Sequence, residues 1–377
     1  MLARLLPLLP SFGVTRLAVL TGLDVIGIPV AGAVRPNSRT VSVHQGKGAT
    51  LAQAKVSALM EALECACAET ADLPLHLAEA AALGEAALDV TRLPRCAGGP
   101  DPRDVRLLWV QGYDLGSGAP VWVPRELVTV DFCAPPVPGA GVFQATTNGL
   151  ASGATTAQAA LHGLCEAIER DAVALWQARG PEVRARCQVD PAGVGGPAAG
   201  ALLRRCQAAG QAVTLWDVTS DIGVPVFMCL LVDPTGVVQP ELGSACRPDA
   251  DAALAAAIAE AAQARVTTIS GARDDMPPES FSHAAQTGRA AAAQAMANTM
   301  ANTMASTGGR PFVARDIGAG DPSAAVLRHL EAAGIGRPAA VTLTRADLRI
   351  PVLRIVVPGL EGLFDPDGEY RPGARAA

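Results

Sequence analysis

The sequence predicts an α/β (α+β) fold in which pseudo-repeated helices alternate with mixed and antiparallel strand pairs. Three observations predict it: a gapless internal repeat carrying helix-start signals, strand–turn–strand patterns between and after the copies, and a composition low in charge. Charged residues make up 18% and aromatic residues 3% of the chain, against roughly 25% charged in an ordinary soluble domain. That composition favours Ala-rich helices packed closely together over a strongly solvated surface. At 377 residues the chain can bury a large core without disulfide or metal staples.

The opening segment MLARLLPLLPSFG resembles a secretory signal only superficially. Pro7 and Pro10 interrupt its apolar run, and no small-residue cleavage site follows. No uncharged apolar run approaches the roughly 20 residues of a membrane span, so no membrane association is expected. The nine cysteines lack a CxxC pair or a regular disulfide spacing, which reads as reduced thiols in a cytoplasmic protein. A formal charge of −6 without a Lys/Arg cluster argues against a nucleic-acid partner.

Residues 48–64, GATLAQAKVSALMEALE, align without gaps with residues 153–169, GATTAQAALHGLCEAIE. A weaker third copy lies at 249–263, where Glu260 falls on Glu61 and Glu166, and Gln263 on Glu64 and Glu169. Thr50 with Gln53, and Thr155 with Gln158, fit a capping box, in which the N-cap and N3 residues satisfy each other's backbone donors. Asp249 after Pro248 is a helix cap of the third copy. The repeat divides a single domain, 1–377, into related halves at about 1–145 and 146–377.

Between the copies the pattern changes. RLLWVQGYDL, Gly116-Ser117-Gly118 and PVWVPREL read as a hairpin, and VTLWDVTS with VPVFMCLLVD as a second strand pair. AAVTLTRADL and RIPVLRIVVP are two further strands. The Pro-rich stretches near 94–102 and 134–139 are loops. The low-complexity segment AMANTMANTMAST is an expanded helix or loop with no evident chemistry.

Ser57, Glu61 and Glu64 stand at i, i+4 and i+7 on one helix face, and Glu166, Glu169 and Arg170 form a similar stripe. Their helices are apolar or small on nearly every other side, the mark of a buried helix. Carboxylates there would lose several kcal/mol each to desolvation unless paired or metal-bound. Oxygen ligands without His or Cys suit Mg²⁺ together with substrate phosphates. The alternative is salt bridging to Arg170, Arg265 and Arg273 within a helical core. Gly46-Lys47-Gly48 precedes the first capped helix, where free N–H groups and the dipole attract anions. It equally fits a plain turn, since the Walker pattern is absent. None of the five histidines has metal-ligand spacing, His162 opposite Ser57 reads as a packing residue, and no catalytic side chain is singled out.

SVHQGKGAT with VSALMEALE, TTNGLASGATTAQAALHGLCEAIERDAVALW, and AEAAQARVTTISGARDD together closely resemble the YcaO superfamily over about residues 20–375. The resemblance implies a YcaO-type fold whose repeated helices line a nucleotide site. It implies metal binding at Glu64, Glu166, Glu169 and Glu260. It further implies nucleotide binding at Lys47, Ser57, Glu61, Asn148, Gln158, Arg170, Gln263, Arg265 and Arg273, with ATP and Mg²⁺ as cofactors. Members phosphorylate a peptide-backbone amide oxygen: an internal Cys, Ser or Thr nucleophile then gives an azoline, and external sulfide gives a thioamide.

Two positions depart from the family pattern, Ala154 and Gln158 standing where many relatives carry Asn and Glu. The tail IVVPGLEGLFDPDGEYRPGARAA lacks the Pro-x-Pro-x-Pro run of azoline-forming relatives and looks like those encoded beside a TfuA partner, which install thioamides. Thioamidation of a ribosomally synthesised peptide or protein is therefore the leading expectation. An azoline-forming cyclodehydratase and a non-catalytic peptide-binding scaffold are the alternatives. Homodimerisation and a separate TfuA-like sulfur-delivery or leader-binding partner are implied by the same resemblance, because the motifs leave no room for a fused leader-binding domain.

Overall fold

The structure, a computed structural model, describes residues 1–133, 140–276, 278–362, 370–371 and 375. Its frame is three helices of the repeat, Leu51–Glu69, Thr156–Ala178 and Ala250–Ser270, each laid on an antiparallel sheet. The first packs on a three-stranded sheet of Arg16–Val19, Val30–Val34 and Val43–Lys47. The second packs on the six-stranded sheet, ordered Leu75–Glu79, Arg106–Asp114, Ala339–Thr342, Val352–Val356, Leu150–Ser152, with Pro120–Pro124 also paired to Arg106–Asp114. The third packs on the four-stranded sheet of Glu241–Cys246, Val226–Val232, Ala212–Asp217 and Gln188–Val189.

Each helix starts where its sequence signal places it. The Thr50 hydroxyl accepts from Gln53 N, and the Gln53 side chain returns to Thr50 N, completing the capping box. Thr155 accepts from Gln158 N, and the Gln158 carbonyl turns back to Ala154 N. Asp249 accepts from Ala252 N. Gly271, at φ 55°, ends the third helix in the left-handed conformation.

Immediately before each cap runs one strand: Val43–Lys47, Leu150–Ser152 and Glu241–Cys246. The repeated unit is thus strand, cap, helix, and it occurs three times. Small residues let helix and strand close up. A Cβ on Gly46 would lie 2.0 Å from Ala58 N, and one on Gly243 would lie 2.3 Å from Ala261 N. The buried helix faces are correspondingly Ala-rich: Ala54, Ala58, Ala62 and Ala66 in the first, and Ala253, Ala257 and Ala261 in the third. Each helix is the centre of its own apolar cluster, so the core forms around the three repeat helices.

The predicted hairpin forms, with Arg106–Asp114 paired to Pro120–Pro124 around the Gly116–Gly118 turn. The other strand pairs form as well, Ala212–Asp217 with Val226–Val232 and Ala339–Thr342 with Val352–Val356. The opening segment folds as a short helix, Leu2–Leu5, and a 3₁₀ stretch that bury Leu5 and Phe12 against the first cluster. AMANTMANTMAST lies within the helix His283–Thr307. In the 94–102 stretch a two-residue strand, Arg95–Cys96, pairs with Tyr370–Arg371. The 134–139 loop, and most of the tail that bears on the partner, lie outside the described residues. Among the described residues no helix is long and apolar enough to cross a membrane, and no two cysteines form a disulfide.

Candidate functional site

The fourth turn of each repeat helix points a polar side chain at the strand that leads into the next helix. Glu64, on the first helix, accepts at Oε1 from Ser152 N at 2.7 Å and from Ser152 Oγ at 2.5 Å. Glu169, on the second, accepts from Ser244 Oγ at 2.7 Å and from Cys246 N at 3.1 Å. Gln263, on the third, donates to Gln45 O at 3.4 Å, on the strand before the first helix. The three units therefore close into a ring, helix to next strand, around one centre. Both glutamates are buried, at 9% and 6% exposure. Each keeps unused lone pairs, because one or two donors cannot saturate a carboxylate.

One turn earlier stand Glu61, Glu166 and Glu260. Lys47 Nζ lies 2.7 Å from Glu260 Oε2, and Arg170 lies 3.9 Å from Glu166. Glu61 faces His44 Nδ1 at 3.7 Å. A cleft of about 200 Å³ opens on this cluster, lined by Arg170, Gln177, Ser244 and Glu260 among others.

Crowding acid groups away from water raises their affinity for protons. Desolvation first, opposed by the Ser152 bonds and reinforced by Glu166 and Glu61, pushes Glu64 up to about 8. Desolvation outweighs Arg170 at Glu166, which rises to about 7. Glu169 is raised by burial and then by Glu260. At Glu260 burial also opposes ionisation, but Lys47 in direct contact and then Arg170 hold its carboxyl below the usual range. Burial, then Arg247 and Lys47, pull the His162 imidazole down to about 4. His162 is therefore a neutral member of this cluster.

The predicted residues divide by where they fall. Lys47, Glu61, Glu64, Glu166, Glu169, Arg170, Glu260 and Gln263 belong to the ring and its cleft. Ser57 sits on the first helix one turn before Glu61. Arg273 bonds Asp275 and lies within electrostatic reach of Glu61. Gln158 is engaged at the helix cap with Ala154 N. Asn148 lines a different cavity, with Arg354.

Arg265 turns the other way. Its Nε meets Asp24 at 2.9 Å and its Nη2 meets Asp233 at 3.3 Å, all three side chains buried. A position two residues after Gln263 falls about 200° around the helix, away from the cleft. Arg265→Ala is accordingly expected to lower folding stability by about 3–5 kcal/mol, because two buried carboxylates lose their cation. Urea unfolding checks this, alongside a KM for ATP that stays unchanged.

Sequence reasoning missed Ser152, Ser244, Cys246 and Arg247. Arg247 bonds Cys246 O at 2.6 Å and acts on Glu169, Glu260 and His162. Extending the third copy two residues upstream would have placed Arg247 where the other copies have Gly48 and Gly153.

Among the described residues no three acidic, His or Cys side chains gather closely enough to hold a metal alone. Mg²⁺ takes one or two carboxylates per ion and completes its octahedron with water and phosphate oxygens. Glu64 and Glu169, oriented by serine and backbone donors, suit such a role. Lys47 and Arg170 suit phosphate oxygens.

The sequence pattern of the YcaO family, described as YcaO cyclodehydratase, ATP- and Mg²⁺-binding, matches residues 45–361. A protein from the tfuA 3′ region of Rhizobium leguminosarum bv. trifolii is 38% identical over 379 residues, spanning 98% of this chain and 88% of its own length. YcaO from Methanopyrus kandleri, solved with AMPPCP and Mg²⁺, shares the fold at a TM-score of 0.69 and 23% identity, covering 95% of this chain and 89% of that one. A heterocyclase solved with substrate and cofactor superposes at a TM-score of 0.71 and 21% identity, over 93% of this chain and half of that longer one.

Proposed function

This chain belongs to the YcaO family of ATP- and Mg²⁺-binding enzymes, and we propose that it activates a peptide-backbone amide by phosphorylating its oxygen. The observation that carries the reading is the ring of buried glutamates, Glu64 and Glu169, oriented by Ser152, Ser244 and Cys246 beside a cleft lined by Arg170 and by Glu260, which Lys47 contacts. Phosphoryl transfer asks mainly for positioning and charge stabilisation, and these side chains supply both. One or two carboxylates per ion from the set Glu64, Glu166, Glu169 and Glu260 would hold Mg²⁺, which when bound screens the phosphate charge. Lys47, Arg170 and Arg273 would meet the phosphate oxygens, and Ser57, Glu61 and Gln263 would complete the nucleotide contacts.

The product we propose is a thioamide on a ribosomally made peptide, with sulfur supplied through a TfuA-like partner. Its support is the relative from a tfuA 3′ region, aligned along 98% of this chain. Sulfide adds to the amide carbon, the γ-phosphoryl group of ATP moves to the amide oxygen, and phosphate leaves with that oxygen as C=S forms. The azoline reading differs only in its nucleophile, a side chain of the peptide itself, and the cyclodehydratase description of the family favours it. Incubating the protein with ATP, a sulfide source, the partner and candidate peptides separates the two. One exchange of oxygen for sulfur in the peptide mass is expected, and loss of water instead would establish the azoline chemistry.

A further inference from the structure

We propose that the small cavity between Arg354 and Asn148 binds a backbone amide of the peptide substrate, the amide oxygen on Arg354 Nη1 and the amide N–H on Asn148 Oδ1. The proposal rests on the peptide-modifying reading and deepens it.

Arg354 sits in the strand Val352–Val356, in the interior of the six-stranded sheet, with 2% of its surface exposed. Its guanidinium already binds neutral carbonyls: Nε donates to Leu127 O at 2.5 Å, and Nη2 donates to Thr146 O. Nη1 has no partner. Among the described residues Arg354 forms no ion pair, and Glu166 is the first anion it senses. Burial lowers the guanidinium to about 10, which leaves it cationic at neutral pH. A buried donor without a partner is costly, the more so when it is charged.

Asn148 Oδ1 is likewise buried and without a partner among the described residues. Both atoms belong to residues lining one cavity of about 70 Å³, with Gln144, Thr146 and Ala167. Ala167 lies on the second repeat helix one turn before Arg170 and on nearly the same face, so the cavity lies beside the nucleotide cleft along that helix. The space takes roughly five water molecules or one group of that bulk.

The two orphans have opposite hydrogen-bonding senses, one donor and one acceptor. An anion would satisfy the guanidinium but meet the partial negative charge of the Asn148 carbonyl oxygen and the Glu361 carboxylate that lines the same cavity. A secondary amide offers one acceptor and one donor and carries no charge to desolvate. It would give Arg354 a third carbonyl, the kind of partner it already holds twice.

The test uses the full chain labelled with ¹⁵N-arginine, with N-methylacetamide as the amide probe and the Arg354 Nε–H signal, assigned by Arg354→Lys, as the readout. A saturable shift is expected, weakened about tenfold by Asn148→Leu, which removes one hydrogen bond without disturbing a side-chain contact. Acetate and hydrosulfide should give no saturable shift. An unresponsive signal would mean that the cavity holds water only, and a stronger response to acetate or hydrosulfide would make it an anion site. Either result overturns the proposal, as does displacement of the probe by Mg²⁺–AMPPCP. The amide titration is run without nucleotide. Its failure is therefore separable from failure of nucleotide use, which a parallel Mg²⁺–AMPPCP titration of wild-type protein reads.

Discussion

Replacing Glu169 with Gln is expected to lower ATP turnover by about 10²–10³-fold, the size of effect seen when one preorganised electrostatic group is lost from an active site. Gln retains the shape and one carbonyl acceptor, so the bond from Ser244 Oγ persists while Cys246 N loses its acceptor. What disappears is the negative charge at the junction of the second helix and the strand Glu241–Cys246. The loss should appear in kcat more than in the KM for peptide, because the charge acts on phosphate rather than on the substrate chain. Steady-state phosphate release by Glu169→Gln and wild type at saturating ATP measures it, and an unchanged rate would remove Glu169 from the site.

Glu64→Gln is expected to be both inactive and more stable than wild type when metal and nucleotide are absent. The Glu64 carboxyl titrates near 4.5 when free of the fold and is pushed up to about 8 within it. Between those values the unfolded chain has released a proton that the folded chain retains. The stability of the nucleotide-free protein therefore falls as pH rises from about 4.5 toward about 8. Gln mimics the protonated acid and can accept the same Ser152 donors. The variant should thus escape that part of the decline and exceed wild type by an amount on the order of a few kcal/mol at pH 8. Urea unfolding at pH 5 and pH 8 reads the difference; a variant weaker than wild type at pH 8 would contradict the assignment of Glu64 as a strained, ligand-awaiting carboxylate. A residue whose loss improves stability and removes activity serves function at a cost to the fold.

Much of this architecture is legible in sequence because its signals are local. The Thr50–Gln53 and Thr155–Gln158 spacings announce helix starts, and Glu64, Glu166 and Glu169 on Ala-rich helices announce carboxylates with too little water, whereas Glu61 keeps 41% of its side chain exposed. Gly116–Gly118 marks the turn between two alternating runs.

The closing of the ring is not local. Nothing in the residues around Ser152, Ser244 or Cys246 says that each will meet a carboxylate 75 to 88 positions away. A serine at a strand end is common, and its partner is chosen by how three sheets converge. Arg265 went the other way for a related reason: its neighbours in sequence are site residues, but its angular position on the helix faces Asp24 and Asp233. Arg354 lies inside a strand of apolar residues, and only the fold shows that two of its nitrogens hold carbonyls while the third holds none among the described residues.

The central claim is that acidic side chains from the repeated helices converge on one magnesium-bound triphosphate. A crystal structure of the full chain with Mg²⁺ and AMPPCP tests it most directly. The account predicts a magnesium ion about 2.1 Å from carboxylate oxygens of the Glu64, Glu166, Glu169 and Glu260 set, with Lys47 and Arg170 on the phosphates. Phosphates bound elsewhere, with those four glutamates still facing only serine, backbone and basic side chains, would contradict it.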